Sequence, residues 1–178
     1  MNKKKLVTEM GRIDRDAFAQ SQKLPLVVVL DNVRSLHNVG SVFRTSDAFR
    51  VECIMLCGIT ATPPSAEIHK TALGAEDVVD WKYYESTMDA VAELRSQGYR
   101  MYSIELCQGS IALQDFVTAP GERYAVVLGN EVKGVQQDVV DASDGAIEIP
   151  QFGTKHSLNV SVTAGMVIWE FAKKLGLV

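Results

Sequence analysis

Apolar residues in this chain come in blocks, and the blocks change period. Positions 25–30, PLVVVL, form an unbroken, largely β-branched apolar run, the pattern of a strand buried on both faces of a sheet. Val39, Val42, Phe43 and Phe49 then recur at helical spacing and predict a helix over 37–49. ECIMLCG reads as a second strand, AEIHKTALG as a short helix closed by Gly74, and DVVDWKYY as a third strand. Ser86, with Asp89 three residues on, is an N-cap signature for a helix that ends at Gly98. YRMYSIEL, RYAVVLG and AIEIP are further strand signals, and the apolar-rich VTAGMVIWEFAKKLG that closes the chain is helical. Strand and helix alternate almost throughout, which predicts an α/β fold: a parallel sheet with helices on both faces. Residues 1–24 stand apart as a basic extension, expected to be helical and laid on the surface. Residues 25–178 are expected to form one domain without repeat or linker.

Composition narrows the class. A chain of 178 residues is long enough for one substantial core. No run of about 18 apolar residues is present, so no membrane span is expected. The N-terminus lacks the apolar stretch of a secretion signal. Cys53, Cys57 and Cys107 cannot all pair and read as reduced thiols, so a cytoplasmic location is expected. Cys53 and Cys57 fall in an apolar strand and read as core thiols. The net charge of −4 conceals an asymmetry: residues 1–50 carry nine Lys/Arg against five Asp/Glu, the remainder nine against seventeen. A basic N-terminal third can serve as a footprint for a phosphate backbone or can simply be solvated.

Several chemistries are excluded by missing motifs. The loop after the first strand, DNVRSLHNVGSVFRT, has no GxGxxG. GNEVKGV places two glycines at P-loop spacing, but Val135 and Gln136 stand where Lys and Ser/Thr are needed. The three His and three Cys show no metal-ligand spacing. Ser157 beside His156 lacks the GxSxG of a nucleophile elbow.

What remains is three strand-end loops rich in Asn, Gly, Glu, Ser and Arg, at the place where parallel α/β folds bind ligands. The first carries Asn38, Gly40 and Arg44 in LHNVGSVFRTSDAF; the second Gly129, Glu131 and Gly134 in VVLGNEVKG; the third Ile149 and Pro150 followed by Ser157 to Ser161. Taken together and in this order, they resemble the SpoU/TrmH family of RNA ribose 2′-O-methyltransferases in the SPOUT superfamily, over roughly residues 25–175. Gln151 and Phe152 depart from the family's commoner small-or-Met step after the proline. Each residue also has an ordinary structural use. Asn38, Ser157 and Asn159 can cap helices, Arg44 can be an exposed charge, and Glu131 can be a first-turn acid.

The resemblance implies a C-terminal deep trefoil knot, which would explain the polar crossing QFGTKHSLN, since the knotted loops form the S-adenosyl-L-methionine pocket. It implies cofactor contacts from Leu106, Leu128, Gly129, Ile149, Pro150, Leu158 and Asn159, with Ile149 and Leu158 against the adenine and Gly129 allowing close backbone approach. It implies catalytic roles for Arg44, Asn38, Glu131, Ser157 and Asn159. A guanidinium stays protonated, so Arg44 reads as a bidentate clamp on phosphate and hydroxyl rather than as a base, with Glu131 holding Asn38 or Asn159. The implied partners are RNA (tRNA favoured, rRNA as the alternative) and a second copy of the chain, with the helix around Val167, Ile168, Trp169 and Phe171 suited to the interface or equally to ordinary core. The rival reading is a non-catalytic RNA-binding member of the same fold.

Overall fold

The computed structural model describes residues 2–155 and 157–178; His156, in the polar crossing, lies outside the described residues. Seven strands form one sheet: β1 (Leu24–Asp31), β2 (Val51–Cys57), β3 (Trp81–Tyr84), β4 (Tyr99–Ile104), β5 (Ile111–Ala112), β6 (Arg123–Leu128) and β7 (Gly145–Glu148). Their order is β3-β2-β1-β6-β4-β7-β5, and every pairing between them is parallel. Six α-helices accompany the sheet among the described residues: α1 (Arg15–Gln20), α2 (Leu36–Ala48), α3 (Ala66–Ala72), α4 (Thr87–Ser96), α5 (Gln137–Ala142) and α6 (Val160–Lys174). None is long and apolar enough to cross a membrane.

The continuous apolar runs occupy the sheet centre, where both faces are covered. In β1 and β6, Leu26, Val28, Leu30, Val126 and Leu128 point to one core with α2, α3 and α6, while Val27, Val29, Ala125 and Val127 point to a second core with α4 and α5. A strand with buried residues on both faces cannot alternate with polar ones, which is why these runs are unbroken. Cys57 is fully buried and Cys53 half-buried in β2; burial pushes both thiols up to about 12.

Three expectations need correction, and one open choice is decided. DVVDWKYY is a strand only in its second half, because Ala75–Asp77 forms a 3-10 turn in which Glu76 receives the Gly74 N–H and pairs with His69. The left-handed residue that closes α3 is Leu73, with Gly74 taking a second positive φ behind it. The N-terminal extension is α-helical only over Arg15–Gln20, with a 3-10 turn at Val7–Glu9, and Phe18 enters the core instead of lying on the surface. In α6, Val167, Ile168 and Phe171 are fully buried and belong to the monomer core. The apolar face that α6 leaves open is Val162, Met166 and Trp169, at positions i, i+4 and i+7. The strand β5 and the helix α5 carry no sequence signal of their own.

Candidate active site

The carboxyl ends of β4, β6 and β7 open into a cavity of about 480 Å³, well within the size range of small-molecule sites. Leu128 and Gly129 end β6, Ile149 follows β7, and Leu158 and Asn159 lead into α6; all line the cavity with Leu106 from the β4 loop. Of the residues expected to hold a cofactor, only Pro150 is absent from the wall, its neighbour Gln151 taking that place. Glu131 and Ser157 also line the cavity; Ser157 is exposed.

One hydrogen-bonded chain joins the three motifs beside this cavity. Asn159 Nδ2 donates to Asn38 Oδ1 at 3.2 Å, and Asn38 Nδ2 donates to Glu131 Oε1 at 3.2 Å. Glu131 also accepts the backbone N–H groups of Arg34 (2.9 Å) and Ser35 (2.9 Å), just before α2 begins. A carboxylate from the β6 loop thus supplements the local cap, Ser35, whose hydroxyl accepts the Asn38 N–H at 3.3 Å. Partial burial works against the charge on Glu131, but the Arg34, Ser35 and Asn38 donors outweigh it and hold the carboxyl below its ordinary range. Its oxygens are committed to these donors. This arrangement suits Glu131 to holding neighbours in place more than to taking a proton.

The turn after β6 is closed by its own hydrogen bonds. Asn130 and Gly134 exchange two backbone hydrogen bonds, and Asn130 Oδ1 accepts from the backbones of Val132 and Lys133, both at 3.0 Å. Asn130 Nδ2 ties the turn to the Asn32 carbonyl after β1 at 2.8 Å. The structure gives Gly129 a nearer reason than room for a ligand: a Cβ there would run into the Gly134 carbonyl carbon and the Val135 nitrogen. Gly40 serves helix packing, since a Cβ would collide with the Ile68 carbonyl and the Thr71 hydroxyl of α3.

Arg44 lies about two turns along α2 from Asn38, exposed and outside the cavity wall. Among the described residues its guanidinium has no hydrogen-bond or ion-pair partner. Two residues escaped the sequence reading. Glu105 lines the cavity and accepts the Val135 N–H at 3.0 Å, clasping the β6 turn from the β4 side. Asp31, fully buried at the end of β1, accepts from Gln136 N (2.8 Å), Gln136 Nε2 (2.7 Å) and Thr87 Oγ1 (2.6 Å) and so fixes the start of α5. A polar residue closing an apolar run was the available signal for Asp31; Glu105 had none.

The family model described as the SpoU rRNA Methylase family matches residues 25–169. A putative TrmH family tRNA/rRNA methyltransferase of Staphylococcus haemolyticus is 32% identical over 173 residues, covering 95% of this chain and 68% of that protein. The tRNA (guanosine(18)-2′-O)-methyltransferase of Aquifex aeolicus is 30% identical over 158 residues, covering 88% and 72%. Among solved structures, the AdoMet-bound rRNA methyltransferase from Sinorhizobium meliloti superposes with a TM-score of 0.78 at 26% identity, covering 89% of this chain and 59% of that one. The chain therefore spans only part of the length of these relatives.

Proposed function

The chain belongs to the SpoU rRNA methylase family, and we propose that it transfers a methyl group from S-adenosyl-L-methionine to a ribose 2′-hydroxyl of RNA, with tRNA as the substrate class. The observation that carries this reading is the Asn159–Asn38–Glu131 chain, which ties Asn38 of the first motif to Glu131 and Asn159 in the wall of a cavity sized for a small molecule. The cavity suits the cofactor: Leu106, Leu128, Ile149 and Leu158 offer apolar faces to an adenine, and the loop backbones offer donors and acceptors to its edge. When bound, S-adenosyl-L-methionine supplies an electrophilic methyl on a sulfonium whose departure needs no protonation.

The remaining work belongs to the protein. Arg44, with no partner of its own among the described residues, grips the target phosphate and 2′-hydroxyl through paired N–H donors. Asn38, held from both sides by Glu131 and Asn159, orients the ribose. The hydroxyl proton passes to a phosphate oxygen or to water. Alignment of this kind contributes up to roughly 7–11 kcal/mol.

Three further parts of the reading concern assembly. The segment 150–159, whose loop shares the cavity wall with residues 129–134, is proposed to thread a deep trefoil knot; tracing the chain in a crystal structure tests this. The open stripe Val162, Met166 and Trp169 is proposed to bury against a second copy, which brings Arg44 of one protomer towards the cofactor of its partner. The cytoplasm is the proposed location, in keeping with three free cysteines.

The direct test uses bulk tRNA and rRNA from cells lacking the gene, incubated with methyl-labelled cofactor and mapped for 2′-O-methyl sites. Label in tRNA is expected. Label in rRNA alone would move the substrate, and no label in either RNA together with no cofactor binding at millimolar ligand would establish the non-catalytic alternative.

A further inference from the structure

A second groove, of about 960 Å³, lies on the other side of the turn that walls the cofactor cavity. Asn130, Val132, Lys133 and Gly134 line both spaces, so the turn is a shared partition. Arg34 and Lys133 bring two cations to the groove, and among the described residues neither side chain has a hydrogen-bond or ion-pair partner. Their backbones are fixed: Arg34 N–H donates to Glu131 and Lys133 N–H to Asn130 Oδ1, at 2.9 and 3.0 Å. Ile59 and Val132 line the same groove, apolar yet 65% and 78% exposed. Asp138 is the one acidic residue of the described lining.

We propose that this groove seats single-stranded RNA next to the target nucleotide, with Arg34 and Lys133 on phosphates and Ile59 and Val132 against an unstacked base. The proposal rests on the RNA-methyltransferase reading of the adjoining cavity and adds to it the path of the strand. The chain is acidic overall, so two cations without partners among the described residues, Arg34 and Lys133, form a local phosphate site in one groove against the general field. Exposed apolar side chains in the same groove as such cations suit a strand whose bases are turned out; a duplex presents its phosphates and keeps its base faces stacked. The shared partition sets the register, because a nucleotide in the groove has its neighbour's ribose at the cavity wall.

The test measures fluorescence anisotropy of a labelled, mixed-sequence 12-nucleotide single-stranded oligoribonucleotide against salt, with wild type, Arg34→Ala and Asp138→Lys. Arg34→Ala keeps the backbone donor to Glu131 and lies outside the cofactor cavity wall, so cofactor affinity by calorimetry should hold. It is expected to weaken RNA binding several-fold and to flatten the log–log salt slope by about 0.7, the loss of one single-strand phosphate contact. Asp138→Lys should tighten binding and steepen the slope. Wild-type affinity and slope in both variants, with folding verified by circular dichroism, would overturn the groove. Methyl transfer to bulk RNA is measured in parallel. Its absence in the wild type would defeat the enzymatic reading, while the anisotropy still decides whether RNA lies here.

Discussion

Asn159 holds two helices with one side chain. Its Oδ1 accepts the N–H groups of Ser161 and Val162 at 2.9 and 3.4 Å, capping α6, while its Nδ2 donates to Asn38 Oδ1 on α2 at 3.2 Å. The two duties separate by substitution. Asn159→Asp retains an N-cap oxygen but replaces the donor to Asn38 with an acceptor. Its thermal stability should stay near wild type while kcat for methyl transfer falls, by up to about 10² if Asn38 is displaced by an ångström. Asn159→Ala loses both functions and should cost about 1 kcal/mol of stability as well. Equal activity in Asn159→Asp and wild type would show that the link to Asn38 does not matter.

Glu131 should make stability depend on acid. Its carboxyl is held low in the folded chain, because the Arg34, Ser35 and Asn38 donors prevail over burial. A depressed carboxyl stabilises the fold above the unfolded value, about 4.3, and that contribution fades as pH falls through the lower native value. Other carboxylates, Glu67, Glu76, Glu93 and Glu170, are held low too. The informative quantity is therefore the difference between wild type and Glu131→Gln in urea unfolding. It should be about 1–2 kcal/mol at pH 7 and shrink below pH 4. A constant difference across that range would mean the charge on Glu131 is not what holds α2.

Arg44→Ala should lower single-turnover methyl transfer by about 10²–10³, the usual effect of removing one preorganised donor. Cofactor affinity should be nearly unchanged, since Arg44 does not line the cavity. Arg44→Lys should rescue little, because an ammonium lacks the planar two-donor fork. Activity within twofold of wild type for the alanine variant would leave Arg44 a solvated surface charge.

Gly129→Ala should weaken cofactor binding through the turn. The added methyl meets the Gly134–Val135 backbone, so a loss of stability should accompany the loss of affinity, on the order of 1–3 kcal/mol for an overpacked site. Gly153 has nothing within 4 Å of a built Cβ and no positive φ, so Gly153→Ala is the control and should change neither. Intact stability with lost affinity in Gly129→Ala would instead place the methyl in the ligand's space.

Met166→Glu puts a charge in the middle of the open stripe on α6, between Val162 and Trp169. Light scattering at micromolar concentration should give a dimer mass for the wild type and a monomer mass for the variant. A monomeric wild type would remove the dimer from the proposal.

The architecture was legible wherever burial forces a pattern. PLVVVL and RYAVVL read as buried strands, α2 announced itself by period, α4 by its cap Ser86, and α6 by its apolar run and the cap candidate Asn159. The motif residues were legible as a set, because a resemblance to a family carries order and spacing with it. Short-range tertiary support was not. β5 is two residues long and exists because β7 lies beside it, and α5 starts without a side-chain cap because the buried Asp31 carboxylate receives the Gln136 N–H instead. The split of α6 into a buried face and the open stripe of Val162, Met166 and Trp169 depended on where the sheet lies, since both faces are apolar in sequence. The site itself was decided last of all. Asn38 and Glu131 are 93 residues apart, and Asn38 and Asn159 are 121 apart. Hydrogen bonds of about 3 Å between them exist only after the sheet has brought the ends of β1, β6 and β7 together.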